Sequence, residues 1–485
     1  MEKFDSRNEK IPEDLFLAER AEVLASWPTG AQVDLAEAIA YHQAMPESHN
    51  ASRLLVRAGA EGATLVGARA GVATVEGQIA TVQWLEQEGC VDILPASVDS
   101  FSRDNQYAKA DEGVRESEKA GRSKLNGFPV VNHGVQRCRR VTEAVKGPSL
   151  YRSQAADDRL VSEVALAGGY SGASSNCLAF YGAYSKSDPL DRVIRNYQYC
   201  YRLSGYYEEK GVPIYREQQS LIMRAVLIPP SLYNAFSIMI SLLMAGQGVK
   251  HMGPCSPIQG HLVQDIAAAD ALLALTREYL DRLGFGDAVL HRVMNPWAGS
   301  YPHDEALAFG VIAQSGSTAA LAGAALVYCK GTEEALGVAS KESNAAGARA
   351  MKAAIGLVNG QRWPRDAHYR QERGMIEQET RAIVDRALEM GDGDAAVATM
   401  RALEAGVLDV PFSPNQAILD KVLGARDATG AIRYLEVGNL PFGAEIVEFN
   451  RERMAERGRA EGREPGYQMV VDDITQAAML TLRRG

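Results

Sequence analysis

Val212-Pro213-Ile214-Tyr215-Arg216, Pro230-Ser231-Leu232-Tyr233-Asn234-Ala235-Phe236-Ser237-Ile238-Met239-Ile240-Ser241-Leu242-Leu243-Met244-Ala245 and Gly248-Val249-Lys250-His251-Met252 follow one another along the chain. Two short β-prone runs flank an apolar segment long enough for more than four helical turns. Strands joined through such a helix lie parallel, because the chain must cross over to re-enter the sheet. Outward in both directions the same alternation runs from about residue 60 to about residue 345. Further candidate strands are Ala63–Val66, Val91–Leu94, Phe128–Asn132, Ser149–Arg152, Gly168–Ser171, Ala288–Met294 and Ala325–Lys330. Amphipathic segments separate them: Gln78–Glu88, Val135–Val145, Leu190–Lys210 and Leu262–Leu283. A run of about eight such units without a Gly-rich dinucleotide fingerprint predicts a closed (β/α)8 barrel of the TIM type rather than an open sheet. The candidates number one more than the barrel needs, and Gly168–Ser171 is the weakest of them.

The flanks read differently. Residues 1–60 form a helical, polar extension with a Trp27-Pro28-Thr29-Gly30 turn, the barrel spans 61–365, and residues 366–485 form a C-terminal helical and α+β lobe. Asp409 to Pro414 is the expected hinge to the short Ile432–Val437 strand and the charged helix Ala444–Gly462 that follow. The 485 residues carry 51 Lys+Arg against 61 Asp+Glu, a net charge of −10, which argues against nucleic acid or an anionic membrane as partner. Six scattered cysteines and the lack of a signal-like or membrane-spanning apolar stretch predict a cytoplasmic protein with reduced thiols.

In a barrel, chemistry gathers where the strands end. Arg69, Arg103, Arg152, Arg216 and Lys330 all follow or close candidate strands. Planar guanidiniums clamp carboxylate or phosphate bidentately, so this cluster predicts an anion pocket; ordinary surface ion pairing is the other reading of each. Lys330 and Glu334 also fit a simple salt bridge across one turn. His251, Cys255 and His261 match no metal template, and there is no Walker loop, nucleophile elbow, His-Glu-x-x-His or Cys-x-x-Cys. A cationic pocket without an acid–base or nucleophile set suits chemistry carried by a cofactor.

Several collinear blocks extend this reading. They include Arg69-Ala70-Gly71-Val72, Glu116-Ser117-Glu118-Lys119-Ala120-Gly121-Arg122-Ser123, Asn126-Gly127-Phe128-Pro129, Gln264-Asp265-Ile266-Ala267-Ala268, Asn344-Ala345-Ala346-Gly347, Arg433-Tyr434-Leu435-Glu436 and Asn450-Arg451-Glu452-Arg453. In these blocks the chain resembles, almost end to end, the large (epsilon) subunit family of glutamate mutase, or methylaspartate mutase. The resemblance implies a (β/α)8 barrel that receives adenosylcobalamin from a small subunit carrying Asp-x-His-x-x-Gly. That motif is absent from this sequence. It also implies a homodimer of large subunits within a heterotetramer, and a radical 1,2-rearrangement that converts L-glutamate to 3-methylaspartate. Carried over position by position, Arg69, Arg103 and Arg152 would grip a dicarboxylate, with Ser153, Ser174, Phe180 and Tyr184 around it. Gly71, Asn126, Ala183, Tyr301, Lys330, Glu334 and Val338 would meet the cofactor. At Gly71 the bare backbone would let a large ring come close.

The departures lie at the rim. Ser153 stands where the family has His, Ser174 where it has the Glu that handles the substrate ammonium, Phe180 for a Tyr, and Ala183 for a Pro. Gln218-Gln219-Ser220-Leu221-Ile222-Met223 replaces a Gly- and Pro-rich stretch, and Asn295-Pro296 replaces a His-Gln pair. The arginine grip survives these changes, so the reading is a remodelled pocket for L-glutamate or a related dicarboxylic or amino acid. A non-catalytic barrel that binds cobalamin or a dicarboxylate as sensor or scaffold is the alternative.

Overall fold

The computed structural model describes residues 7–219, 227–297 and 299–479. Its central sheet is entirely parallel. The strands are β1 (Leu65–Gly67), β2 (Leu94–Ser97), β3 (Ser149–Arg152), β4 (Gly172–Ser174), β5 (Tyr215–Gln219), β6 (His251–Pro257), β7 (Val289–Leu290), β8 (Val293–Asn295) and β9 (Leu326–Tyr328). β7 and β8 both pair with β6 and form one interrupted stave. The order β1-β9-β8-β6-β5-β4-β3-β2 closes through a parallel bridge between Gly67 and Ile93, giving an eight-stave barrel. Leu150, Tyr215, Cys255, Val293, Leu326 and Tyr328 form one buried cluster contributed by its strands.

The surplus strand candidate is Phe128–Asn132. Phe128 N–H makes one strand-like bond to Ser97 O (2.7 Å), but Pro129 then opens the helix Val130–Thr142. The β-branched pair Val130-Val131 is buried helix here, tertiary packing overriding propensity. Gly168–Ser171 is the lead-in to β4, which starts at Gly172 after Gly168 caps the preceding helix and Gly169 turns at φ 90°. Several other strands also begin later than their apolar runs suggest. Their ends carry Ser97, Ser174 and Glu217-Gln218, which do not read as strand.

The N-terminal segment is strapped to the helix Leu190–Glu209. Phe16 packs against Tyr199 and Tyr206 (ring centroids 5.2 and 5.8 Å), and Arg202 Nε donates to Ile11 O at 2.9 Å. In the Trp27–Gly30 turn a Cβ on Gly30 would collide with the Leu24 carbonyl, so that position requires glycine. Thr29 Oγ1 then donates to Val131 O (2.6 Å). One buried apolar cluster includes residues of this extension, the barrel helices and the C-terminal helices. No helix among the described residues is long and apolar enough to cross a membrane.

The C-terminal helices and the hairpin β10 (Val422–Arg426) and β11 (Ile432–Val437) are stitched to the barrel by buried polar side chains. Arg433 pairs with Glu372 and with Asp427 (2.8 Å), all three nearly fully buried. Gln264 donates to Glu372 (3.2 Å) and Ile432 O (3.1 Å) while accepting from Ile432 N–H (2.8 Å). Ser231 bridges Glu379 and Tyr434, and Asn450 Nδ2 donates to Glu379 (2.9 Å). The expected hinge is itself tied down. Asp409 accepts four backbone N–H bonds, from Val410, Asp420, Lys421 and Val422.

Two stability predictions follow from buried polar groups. Arg433→Met strands Glu372 and Asp427 without their cation and lowers stability in urea unfolding by about 3–5 kcal/mol. His42 is buried with Nε2 on Leu166 O (2.7 Å), and burial depresses its pKa from 6.5 to about 4. The folded state therefore holds a neutral ring, and His42's contribution is lost as pH falls from about 6.5 toward 4. The cost of His42→Gln in urea unfolding shrinks by about 1.3 kcal/mol between about pH 7.5 and about pH 5.5.

Candidate active site

Side chains alternate across a strand, and the register of β3, β4 and β5 aligns Arg152, Ser174 and Glu217 as partners on one row. All three are buried, and Glu217 is 0 % exposed. Glu217 accepts from Arg152 Nη1 (3.4 Å) and from Ser174 Oγ (3.2 Å). The Arg152 guanidinium lies over the Tyr328 ring, 4.2 Å from its centroid, and its Nη2 has no hydrogen-bond partner in the structure. Arg69 follows β1 and is partly exposed. Burial and then the neighbouring Arg152 push its guanidinium below the ordinary value, while Glu334, Tyr184 and Glu217 oppose this. Arg152, Arg69 and the buried Glu217 carboxylate thus share the barrel mouth.

Arg103 ends the short helix Ser100–Arg103, whose first N–H donates to Asn126 Oδ1 (2.9 Å). Its guanidinium lies 5.8 Å from the Tyr184 ring centroid, and its buried Nε has no hydrogen-bond partner. Arg103, Gln154, Phe180 and Tyr184 line a cleft of about 490 Å³. The helix Cys177–Ala183, which carries Phe180 and Ala183, is held from the C-terminal side: Ser413 Oγ donates to Gly182 O (3.0 Å) and Asn415 Nδ2 to Tyr181 O (3.2 Å).

A second group gathers at the end of β9. Lys330 pairs with Glu334 (3.2 Å) and stands over the Tyr301 ring at 4.9 Å. Burial lowers the Lys330 amine, Arg69 adds to this, and Glu334 opposes it. The expected salt bridge across one turn between Lys330 and Glu334 is present. Tyr301 is 6 % exposed with an unpartnered hydroxyl, whereas Leu336 and Val338 stand 69 % and 72 % exposed.

A family model described as the methylaspartate mutase E chain matches residues 45–482. The chain belongs to that family. It is 44 % identical to the glutamate mutase epsilon subunit of Desulfitobacterium hafniense over 97 % of both chains. It is 42 % identical to the protein of that name from Treponema denticola over 96 % of both. With the Fusobacterium nucleatum epsilon subunit the identity is 32 %, again over 96 % of each.

Arg69, Arg152, Ser174, Tyr184, Lys330 and Glu334 are brought together with Glu217 around the mouth, and Arg103 and Phe180 line the adjoining cleft. Ser153 is fixed through its backbone, its N–H donating to Ser174 O (3.2 Å). Arg216 leaves the expected rim cluster. Its side chain is on the opposite face of β5 from Glu217, bonding Ser204 Oγ (2.8 Å) and Cys200 O (2.7 Å). At Gly71 the space a Cβ would take is filled by the backbone of Ser97, Gly127 and Phe128, so the glycine is required by the chain's own packing. His251 stacks on His291, Cys255 further along the same strand accepts from Asn295 Nδ2 (3.1 Å) inside the barrel, and His261 caps the helix Leu262–Arg282, so the three side chains have separate partners. Of the rewritten stretch after Glu217, Ser220–Met223 fall outside the described residues.

Sequence reasoning missed Glu217, Tyr328 and Gln154. Glu217 was within reach: period-two alternation makes Arg216 and Glu217 face opposite ways, so only one of the adjacent pair can point inward. A test of the pair is direct. Glu217→Leu leaves Arg152 buried beside Arg69 without an anion and costs about 3–5 kcal/mol in urea unfolding. Adding Arg152→Met in the same chain brings the cost below that of the single substitution.

Proposed function

We propose that this mutase-family isomerase is the large catalytic subunit of an adenosylcobalamin-dependent carbon-skeleton mutase. Its substrate is L-glutamate or a closely related dicarboxylic or amino acid. The observation that carries the reading is the set of three arginines after strand ends, with the buried Glu217 carboxylate beside Arg152 and no nucleophile or acid–base pair among the described residues around them. Cations in excess of carboxylates in a recessed mouth favour a small dianion over a cation or an apolar ligand.

The residues at the end of β9 fit a large planar cofactor. The unpartnered Tyr301 hydroxyl, the recessed Lys330 amine and exposed Val338 offer a donor, a cation and an apolar contact on one rim. Glu334 orients Lys330, and Ala183 is on the helix that also carries Phe180. Asn126 reaches the rim by pinning the Arg103 helix, and Gly71 sits in the loop beside it. When bound, adenosylcobalamin supplies the carbon-centred radical that removes a substrate hydrogen and later returns it. Arg69, Arg103 and Arg152 hold the two carboxylates, Glu217 holds Arg152, and Tyr184 supports Arg103. Recessing these groups excludes water and fixes the approach of the reacting carbons, which a radical rearrangement needs more than a general base. Curated relatives bear the name epsilon subunit, and this sequence has no Asp-x-His-x-x-Gly, which together support a small cobalamin-carrying partner in a heterotetramer built on a large-subunit dimer.

The test is an anaerobic assay of the chain with a cobalamin-binding small subunit, adenosylcobalamin and L-glutamate, followed by proton NMR with electron spin resonance in parallel. Appearance of 3-methylaspartate and an organic radical is the expected outcome. A radical only with another dicarboxylate identifies that acid as the substrate, and cobalamin binding without any radical or product indicates a sensor or scaffold. Arg152→Lys lowers kcat/KM about 10- to 100-fold, the value of a charge-assisted hydrogen bond of about 1.5–3 kcal/mol.

A further inference from the structure

Two residues beyond Arg152, the chain carries a side chain that finds no hydrogen-bond partner among the described residues. Gln154 is 8 % exposed, and neither its Nε2 nor its Oε1 has a hydrogen-bond partner. Buried amides are nearly always paired, so an amide with both ends open needs an explanation. Its backbone is not loose. Ala155 O accepts from Tyr197 Oη (3.0 Å), Ala156 O from Asn196 Nδ2 (3.0 Å), and Asp157 O from Asn105 Nδ2 (2.8 Å). The loop is thus anchored to the helix Leu190–Glu209 and to the segment after Arg103, and it presents Gln154 from a fixed base.

The cleft it lines is the one that Arg103, Phe180 and Tyr184 share. Arg103 Nε is likewise buried and unpartnered. Two side chains that line one cleft of about 490 Å³, each with buried polar atoms left unpartnered, form an incomplete hydrogen-bonding set. A carboxylate completes half of it, accepting from Arg103 and from the Gln154 amide N–H. The other half is Oε1, an acceptor without charge, which takes a donor on the carbon next to that carboxylate.

We propose that Gln154 is a specificity-determining residue that contacts the substrate directly. It donates to the carboxylate held by Arg103 and accepts from an amino or hydroxyl group on the adjacent carbon. The inference rests on the dicarboxylate reading of the site and narrows it to 2-amino and 2-hydroxy dicarboxylic acids. A neutral acceptor serves an ammonium and a hydroxyl alike, whereas Glu at this place would repel the carboxylate that Arg103 attracts. The assignment also accounts for a pocket that can dispense with a carboxylate at Ser174. The donor on the substrate is met from the β3 side of the mouth.

Calorimetric titration of the full chain, alone and with a cobalamin-binding small subunit, separates the possibilities. The probes are L-glutamate, L-2-hydroxyglutarate and glutarate, which share two carboxylates and differ only at carbon 2. The wild-type chain binds the first two about tenfold more tightly than glutarate, about 1.4 kcal/mol. Gln154→Leu brings all three to a similar affinity, and Gln154→Met, closer in shape, does the same. Circular dichroism on both variants establishes that they are folded, and the second serves if the first is not. Wild-type discrimination retained in a folded variant overturns the role of Gln154. If Arg103→Met abolishes binding at the same time, the dicarboxylate reading stands without it. Failure of the wild-type chain to bind any of the three overturns both.

Discussion

A guanidinium inside a closed barrel has to be answered by an anion, and the mouth of this molecule is organised around that requirement. Arg152 is 7 % exposed at the end of β3, and Glu217 answers it from two strands away. The contact is long, 3.4 Å, and Glu217 is shared with Ser174. Arg152 therefore keeps an unpartnered Nη2 and a stacking contact with Tyr328 rather than a saturated salt bridge. A fully paired arginine would have nothing left to offer a ligand. One carboxylate set against Arg152 and the neighbouring Arg69 makes the mouth foldable while leaving it cationic.

That balance needs walls that do not move, and the walls are made far from the mouth in sequence. The helix bearing Phe180 and Ala183 is held by Ser413 and Asn415, and Gln416 N–H reaches Lys186 O at 3.2 Å. The segment 413–416 is in turn bracketed by the Asp409 corner, which bonds backbone N–H groups on both sides of it. The blocks Gln264-Asp265, Arg433-Tyr434 and Asn450, which carry the family resemblance in the sequence, are joints between barrel helices and C-terminal hairpin. Asp265 shows the cost of such joints. Buried and accepting from Gln259 and Gly260 N–H (3.0 and 2.9 Å), it has its pKa raised to about 7 by desolvation that those bonds only partly offset.

The barrel was legible in the sequence because apolar runs alternating with amphipathic segments carry the topology. The strand ends were not, and for one reason. Ser97, Ser174 and Glu217 near the ends of β2, β4 and β5 are polar and share the row of Arg152, so a reading based on apolar runs stops short of the part that matters for function. Arg69, Arg103 and Arg152 could be picked out as strand-end cations, but Arg216 was picked out with them, although its side chain is buried against Ser204 and Cys200. A one-residue ambiguity in register exchanges an outward arginine for an inward glutamate. Phe128–Asn132 failed differently, since two valines and a phenylalanine look the same in a buried helix start as in a strand.

Glycine and glutamine mark the limits of position-by-position transfer from a family. Gly71 matches the pattern, yet the space it leaves is occupied by Ser97, Gly127 and Phe128, so the match reflects loop packing as much as ligand approach. Gln154 belongs to none of the quoted blocks and attracts no notice in sequence, because an isolated Gln is ordinary on a surface. Only burial without a partner makes it informative, and burial is a property of the closed mouth rather than of the residue. The chemistry of the rim is thus set by two kinds of group. Charges such as Arg152 and Glu217 must be balanced for the barrel to close, and a neutral group such as Gln154 can change without disturbing that balance. A family that keeps the first kind and varies the second alters what it recognises while leaving its fold energetically intact.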